Sequence, residues 1–69
     1  MSEPQHVQDS IKVGVLVTAV DGPHKGKVGR VTELYRSLTG EQIVWRAMIE
    51  LPNKTGFFQT RREWLVRLP

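Results

Sequence analysis

The chain contains no cysteine, so neither disulfide bridges nor thiolate metal sites can stabilise it. No uninterrupted apolar run exceeds three residues, whereas a membrane-spanning helix needs about 20. The first part of the chain also lacks the basic start and apolar stretch that mark a signal peptide. From these absences we expect a cytoplasmic protein with no membrane partner.

Groups for catalysis are equally scarce. The two histidines, His6 and His24, are far apart in the sequence, and the carboxylates are scattered among lysines and arginines. A single domain of 69 residues buries only about 60% of its unfolded surface, which is too little to build a deep catalytic pocket. We therefore expect a non-catalytic domain that holds no metal and no cofactor.

Positive charge is the first property that points towards a function. Ten Lys and Arg outnumber seven Asp and Glu, which gives a net charge of +3. Residues 1–10 hold two acids and no Lys or Arg, so residues 11–69 hold ten positive and five negative side chains, a net charge of +5. A domain of this sign attracts phosphates or acidic protein surfaces. The alternative is that the positive charge only keeps the domain soluble.

Composition divides the chain near residue 10. Residues 1–10 are polar, include Pro4 and have almost nothing apolar to bury, which predicts a disordered leader. From Ile11 onward, short β-branched segments alternate with turns rich in Gly and Pro, and no segment keeps the periodicity of a helix. The folded domain is therefore predicted to span residues 11–69.

Alternation of side chains predicts the strands. A first strand is expected over residues 11–20, ending at the turn signal Asp-Gly-Pro. The residues expected on its buried face are Val13, Val15, Val17 and Ala19. A second strand is expected over residues 28–35. Its apolar positions fall three apart, which predicts a β-bulge near Gly29.

The third strand, residues 43–51, has the clearest period-two pattern in the chain. The side chains expected to face the core are Ile43, Trp45, Ala47, Ile49 and Leu51. The remaining predicted elements are a loop at 37–41, a turn at 52–56, a strand at 57–60, a helical turn at 61–64 and a closing strand at 65–68. About five short antiparallel strands can bury their apolar faces only by curling into a small barrel, so the predicted fold class is all-β.

One segment resembles a known family. Residues 14–31, GVLVTAVDGPHKGKVGRV, are similar to a KOW motif, which joins an alternating strand to a Gly-rich basic loop and a second strand. The resemblance implies an SH3-like barrel over residues 11–69. KOW domains occur in ribosomal proteins and NusG-like transcription factors, where they bind RNA or dock onto proteins. The resemblance therefore implies a binding module whose partner is RNA, the ribosome or the transcription machinery.

The basic loop of this segment is the first candidate site. Its four basic side chains surround three glycines that keep the backbone accessible. They are His24, Lys25, Lys27 and Arg30. Backbone N–H groups together with cationic side chains suit phosphate contacts. The alternative is a solvated basic hairpin whose glycines serve only the turn geometry.

The second candidate site combines Arg61 and Arg62 with neighbouring aromatic residues. Phe57 and Phe58 must point to opposite faces of a strand, so one is core and the other, which we take to be Phe57, is exposed or caps a barrel end. An exposed ring beside two arginines can stack on an unpaired base. The alternative is that both rings pack and the arginines are only solvated. Tyr35 and Arg36 would extend the same surface, and a continuous basic track forms if the loop and the arginines lie on one side. Trp45 and Trp64 are expected to pack in the core.

Two functions are compatible with these features. The first is non-catalytic binding of RNA or of a nucleoprotein complex through the basic loop and the arginine–aromatic patch. The alternative is a protein-interaction domain or an accessory subunit of a larger complex. It would bind through a barrel edge or through an outer face that is unusually apolar. The apolar residues of that face are Leu16, Val20, Val44 and Met48.

Overall fold

Five short strands and two single 3-10 turns make up the fold. The computed structural model describes residues 10–69, so the predicted leader lies almost wholly outside the described residues. The strands are β1 (Leu16–Ala19), β2 (Val28–Thr39), β3 (Gln42–Glu50), β4 (Phe57–Arg61) and β5 (Leu65–Arg67), and the 3-10 turns lie at Pro52–Lys54 and Arg62–Trp64. In this part of the chain no helix has the length and apolar character needed to cross a membrane.

All five strands belong to one antiparallel sheet with the order β4-β3-β2-β1-β5. Strands β1 to β4 follow one another as hairpins, and the chain then returns so that β5 pairs with β1. The prediction of a small all-β domain of about five antiparallel strands is confirmed. Within residues 10–69 the edge strands β4 and β5 do not pair with each other, so the barrel is not closed.

The core occupies one face of this sheet. Register places Val31, Ile49 and Phe58 side by side across β2, β3 and β4, and because side chains alternate along a strand they all point the same way. The buried apolar residues are Ile11, Val17, Ala19, Val31, Ala47, Ile49, Phe58 and Leu65. We call the side that carries them the core face and the opposite side the outer face.

Strand β1 is shorter than predicted because the chain turns before it. The amide of Gly14 donates to Val31 O over 2.8 Å, and the amide of Val15 donates to Lys12 O over 3.2 Å. These bonds curl residues 12–15 into a turn, so Val13 is exposed. The prediction that Val13 shares the buried face of a strand over residues 11–20 is therefore wrong.

The β-bulge lies further along β2 than predicted. The register with β3 shifts between Val31 and Glu33, and the extra residue, Thr32, donates its hydroxyl to Met48 O over 3.2 Å. The bulge explains why the core-facing Val31 and Leu34 lie three residues apart. Val28, by contrast, is exposed, because it lies on the outer face opposite Thr18.

The hairpin of β2 and β3 extends beyond the core. Thr39 pairs with Gln42, so most of the segment predicted as a loop at residues 37–41 is strand. Ile43 lies on the core face, yet it is 62% exposed, because among residues 10–69 strand β4 pairs with β3 only from Arg46 onward. Trp45, next along the same face, is 42% exposed. The expectation that both are core residues is wrong.

The second tryptophan, Trp64, packs against a turn. It is half-buried, and its indole ring occupies the space where a Cβ of Gly22 would lie. Gly22 also has a φ of +84°, a conformation that residues with a side chain rarely adopt. The turn after β1 therefore requires glycine for two separate reasons.

Candidate nucleic-acid interface

The loop between β1 and β2 is held against β4. Two short turns shape it, with the amide of Lys25 donating to Gly22 O over 3.2 Å and that of Lys27 donating to His24 O over 3.0 Å. The His24 ring lies 4.9 Å from the ring of Phe58, centroid to centroid. The loop thus brings the half-buried His24 against the fourth strand, while the side chains of Lys25 and Lys27 are exposed.

Lys27 is positioned by two contacts. Its Nζ lies 3.1 Å from His24 Nδ1 and 5.6 Å from the centroid of the Phe58 ring. A cation over an aromatic face is attracted by the ring's electron density. The ammonium group is therefore held beside the ring, with its remaining hydrogens available to a ligand.

The two adjacent phenylalanines differ as the strand alternation predicts. Phe58 is 5% exposed and belongs to the core, whereas Phe57 is 58% exposed on the outer face. An aromatic side chain with this exposure offers one ring face to a ligand. The prediction that one ring is buried and the other free is confirmed.

A cleft of about 710 Å³ lies between the loop and three strands, at the middle of β2, the end of β3 and the start of β4. Its volume lies in the range of pockets that hold small organic groups. The residues that line it are His24, Lys27, Thr32, Glu33, Met48, Phe57, Phe58 and Gln59. The cleft thus contains the ammonium of Lys27 and the imidazole of His24 from the loop, the exposed ring of Phe57, the carboxylate of Glu33 on β2 and the amide of Gln59 on β4.

Beside the cleft, three polar residues form a row across the outer face. Tyr35 pairs with Arg46, and Arg46 pairs with Arg61. Arg61 is also bonded to Glu63, with 3.2 Å between Nη1 and Oε2, and its Cζ lies 5.1 Å from the ring of Trp64. Arg46 was not predicted from the sequence, because only the register between strands shows that it lies between Tyr35 and Arg61.

Arg36 and Arg62 belong to a different surface. Their guanidinium carbons lie 5.9 Å and 5.1 Å from the centroid of the Trp45 ring. Arg36 pairs with Trp45 on the core face, in the part of the β2–β3 hairpin that extends past the buried residues. Its neighbour Tyr35 lies on the outer face. The predicted candidates therefore do not form one continuous basic track, because the alternation of β2 sends Tyr35 and Arg36 to opposite faces.

Arg30 has a structural contact. Its Nη1 donates to Gly14 O over 2.6 Å, which fixes the turn before β1 to the start of β2. On the outer face it lies between Leu16 and Glu50. Arg30 does not line the cleft, so it is separated from His24 and Lys27 although it is close to them in sequence.

Within the described residues, no three His, Asp or Glu side chains come together in an arrangement that could hold a metal ion. The groups that are brought together are cations and aromatic rings, a combination that suits phosphates and bases. Neither the protein-family models nor the curated proteins nor the solved structures compared with this chain include a match. The similarity of residues 14–31 to a KOW motif therefore remains a prediction from the sequence.

Proposed function

We propose that this domain binds single-stranded RNA, either free or exposed in a nucleoprotein complex, and catalyses no reaction. The observation that carries the proposal is the cleft whose lining includes the exposed ring of Phe57 together with His24 and the Lys27 ammonium of the loop. Proteins that bind single strands combine a stacking ring with nearby positive charge, because every nucleotide has a flat base and a phosphate.

Phe57 supplies the stacking surface in this proposal. Its ring is exposed while its neighbour Phe58 anchors the strand in the core, so stacking a base needs no rearrangement of the fold. Stacking of a base on an aromatic side chain contributes about 1–3 kcal/mol. A single ring gives moderate affinity, and charge must add to it.

Phosphate contacts come from two sides of Phe57. Lys27 lies in the cleft and Lys25 extends from the loop, while Arg46 and Arg61 lie side by side on the outer face. Such contacts position a strand without reading its sequence and make binding salt-dependent. Arg36 and Arg62 lie beside Trp45 on the other surface, so the proposal assigns them no contact with this strand.

The resemblance to KOW domains supports an RNA-containing partner such as the ribosome or a transcription complex. It also agrees with the placement of the basic loop, since residues 14–31 comprise β1, the loop and the start of β2. The fold alone carries no such information, because small barrels of this type bind many classes of ligand.

Titration of the isotope-labelled chain with a short oligouridine, followed by NMR at two salt concentrations, tests the proposal. We expect chemical-shift changes at residues 24–30 and 57–62 that diminish as salt rises. If the spectrum stays unchanged at low salt and high RNA concentration, the domain does not bind single-stranded RNA.

Two variants separate stacking from charge. Phe57→Ala is expected to weaken binding by about 1–3 kcal/mol, whereas Val66→Ala, which removes an exposed apolar side chain outside the cleft, should leave affinity unchanged.

Replacing Lys25 and Lys27 by alanine should weaken binding to all sequences and flatten its salt dependence. Lys12→Ala is the matched control, because Lys12 is exposed and lies outside the cleft.

A second candidate, a protein-interaction surface, is favoured by the outer face of β2, β1 and β5. Val28 and Val66 both pair with Thr18, so they lie in one row across three strands. Leu16 on β1 and Val20, directly after that strand, flank the row and are also exposed. If this face binds a second copy of the chain, the mass in solution rises with concentration, and Val66→Asp abolishes the rise.

A further inference from the structure

Glu33 is a carboxylate in a cleft that otherwise attracts anions. It lies directly after the bulge of β2 and lines the cleft together with Lys27 and His24. Among residues 10–69 it forms no ion pair and no hydrogen bond through its side chain. A carboxylate at this point repels phosphate, so a bound nucleotide must present hydrogen-bond donors to it.

Gln59 supplies a donor on the opposite side of the same cleft. Its Oε1 accepts a hydrogen bond from the Tyr35 hydroxyl over 2.6 Å. That bond occupies the carbonyl end of the amide and leaves the two Nε2 hydrogens for a ligand. The side chain therefore presents a donor that is fixed in orientation.

Met48 lies between these two groups. Glu33 pairs with Met48 and Met48 pairs with Gln59, so the carboxylate and the amide belong to one row across three strands. Their Cα atoms are two strand spacings apart, about 10 Å. A flat group whose edge reaches the thioether of Met48 has an acceptor on one side and a donor on the other.

Phe57 lies on the same face as this row. It is two residues before Gln59 on β4 and lines the cleft. A base stacked on its ring directs one edge towards Met48, with the carboxylate and the amide on either side. Lys27 of the loop also lines the cleft and is available to the phosphate of the same nucleotide.

The geometry points to a binding site for a guanine base in this cleft, an inference that rests on the proposed function of binding single-stranded RNA. Guanine presents two adjacent donors, N1–H and N2–H, beside the acceptor O6. The two oxygens of Glu33 accept from the two donors, and Nε2 of Gln59 donates to O6. This pairing uses both oxygens of the carboxylate and one of the two Nε2 hydrogens of Gln59.

The other bases match this arrangement less well. On its Watson–Crick edge, uracil offers one donor between two acceptors, and adenine and cytosine each offer an amino group beside a ring acceptor that a carboxylate repels. A bidentate contact between a side chain and a base edge discriminates by about 1–3 kcal/mol, which is roughly a fivefold to 150-fold difference in affinity. We therefore expect guanine to bind at least fivefold more tightly than any other base at the stacked position.

Fluorescence anisotropy with short labelled oligouridines, each carrying one different central base, tests this inference on the complete chain. The oligonucleotide with a central guanosine is expected to bind most tightly. In Glu33→Gln, the amide replaces one acceptor by a donor, so the preference for guanosine should disappear while binding of plain oligouridine remains. Glu41→Gln is the matched control, because Glu41 is exposed in the turn between β2 and β3, outside the cleft.

Each result decides a separate point. Equal binding of all four oligonucleotides, weakened by Phe57→Ala, would overturn the guanine site and leave the proposed RNA binding intact. A preference for guanosine that persists in Glu33→Gln would overturn the assignment to Glu33. Failure of every oligonucleotide to bind would overturn both this inference and the proposed function.

Discussion

The backbone of Gly29 lies against the carbonyl oxygen of Glu50. A Cβ added to Gly29 would overlap that oxygen and Cγ2 of Ile49. The close approach occurs where β2 crosses the core next to the end of β3, just before the bulge at Thr32. The φ of Gly29 is not in the left-handed region, so backbone conformation does not require glycine here. The close approach of the Glu50 backbone does.

Gly29→Ala is expected to destabilise the domain strongly. Neither the Glu50 backbone nor the buried Ile49 can move without disturbing the sheet, and overpacking of this kind costs about 1–3 kcal/mol. A chain of this length has a total stability of about 3–10 kcal/mol. Urea unfolding followed by circular dichroism measures the loss. Gly40→Asn, in an open turn with a φ of +62° that Asn tolerates, should change stability little, and an equal loss in both variants would contradict this account.

Thr60→Val is expected to stabilise the domain. Thr60 is 1% exposed, and its Oγ1 has no hydrogen-bond partner among residues 10–69. Valine has nearly the same shape, so the substitution removes the cost of burying an unsatisfied hydroxyl, about 1–3 kcal/mol. The expected result is a higher unfolding temperature.

Thr18→Val provides the matched control for that substitution. The Thr18 hydroxyl donates to Lys27 O over 3.1 Å, so its removal should lower stability by about 0.5–1.5 kcal/mol. The two threonine-to-valine substitutions are therefore predicted to have opposite signs. Destabilisation in both would show that Thr60 Oγ1 has a bonding partner in solution.

Two isoleucines of β3 distinguish the core from the projecting end of the hairpin. Ile49 is fully buried and Ile43 is mostly exposed, although both lie on the core face. Ile49→Val is expected to cost about 0.5–1.5 kcal/mol because it leaves a cavity. Ile43→Val should cost almost nothing. Chemical denaturation of the two variants measures the difference, and a similar loss in both would mean that Ile43 is covered in solution.

A double-mutant cycle tests the hydrogen bond that orients the cleft amide. Tyr35→Phe removes the hydroxyl that donates to Gln59 Oε1, and we expect a loss of about 0.5–1.5 kcal/mol in the free energy of unfolding. Gln59→Met removes the partner, and the double variant should lose less than the sum of the two single variants. Strict additivity would show that the two side chains are not coupled.

The pattern of the sequence predicted the type of each element better than its extent. The period of two in residues 43–51 identified β3 and the side chains that share its core face, because alternation is a local property. It did not distinguish Ile49 from Ile43, since burial depends on which other strands reach each end of the hairpin. Similarly, the spacing of Val31 and Leu34 indicated a bulge, but the position of the extra residue, Thr32, depends on pairing with β3.

The candidate site was predicted less completely. The basic loop and the exposed phenylalanine were evident from residue types and from the alternation around Phe57. The contact of His24 and Lys27 with Phe58, more than 30 residues away in the sequence, depends on how the loop folds over β4. Glu33 and Gln59 were not predicted, and Met48 was predicted only as an apolar residue of the outer face, because the three side chains come together only through the register of three strands.

The sequence by itself determined that the chain forms a small, basic, all-β domain without cysteine, since composition and short-range alternation act locally. The tertiary structure alone decided which apolar side chains are buried, where β2 bulges and which basic residues share a surface. Adjacent residues on a strand point to opposite faces, so Tyr35 and Arg36 are neighbours in sequence and lie on different sides of the molecule. Burial and clustering depend on contacts between distant segments, which only the pairing of the strands can specify.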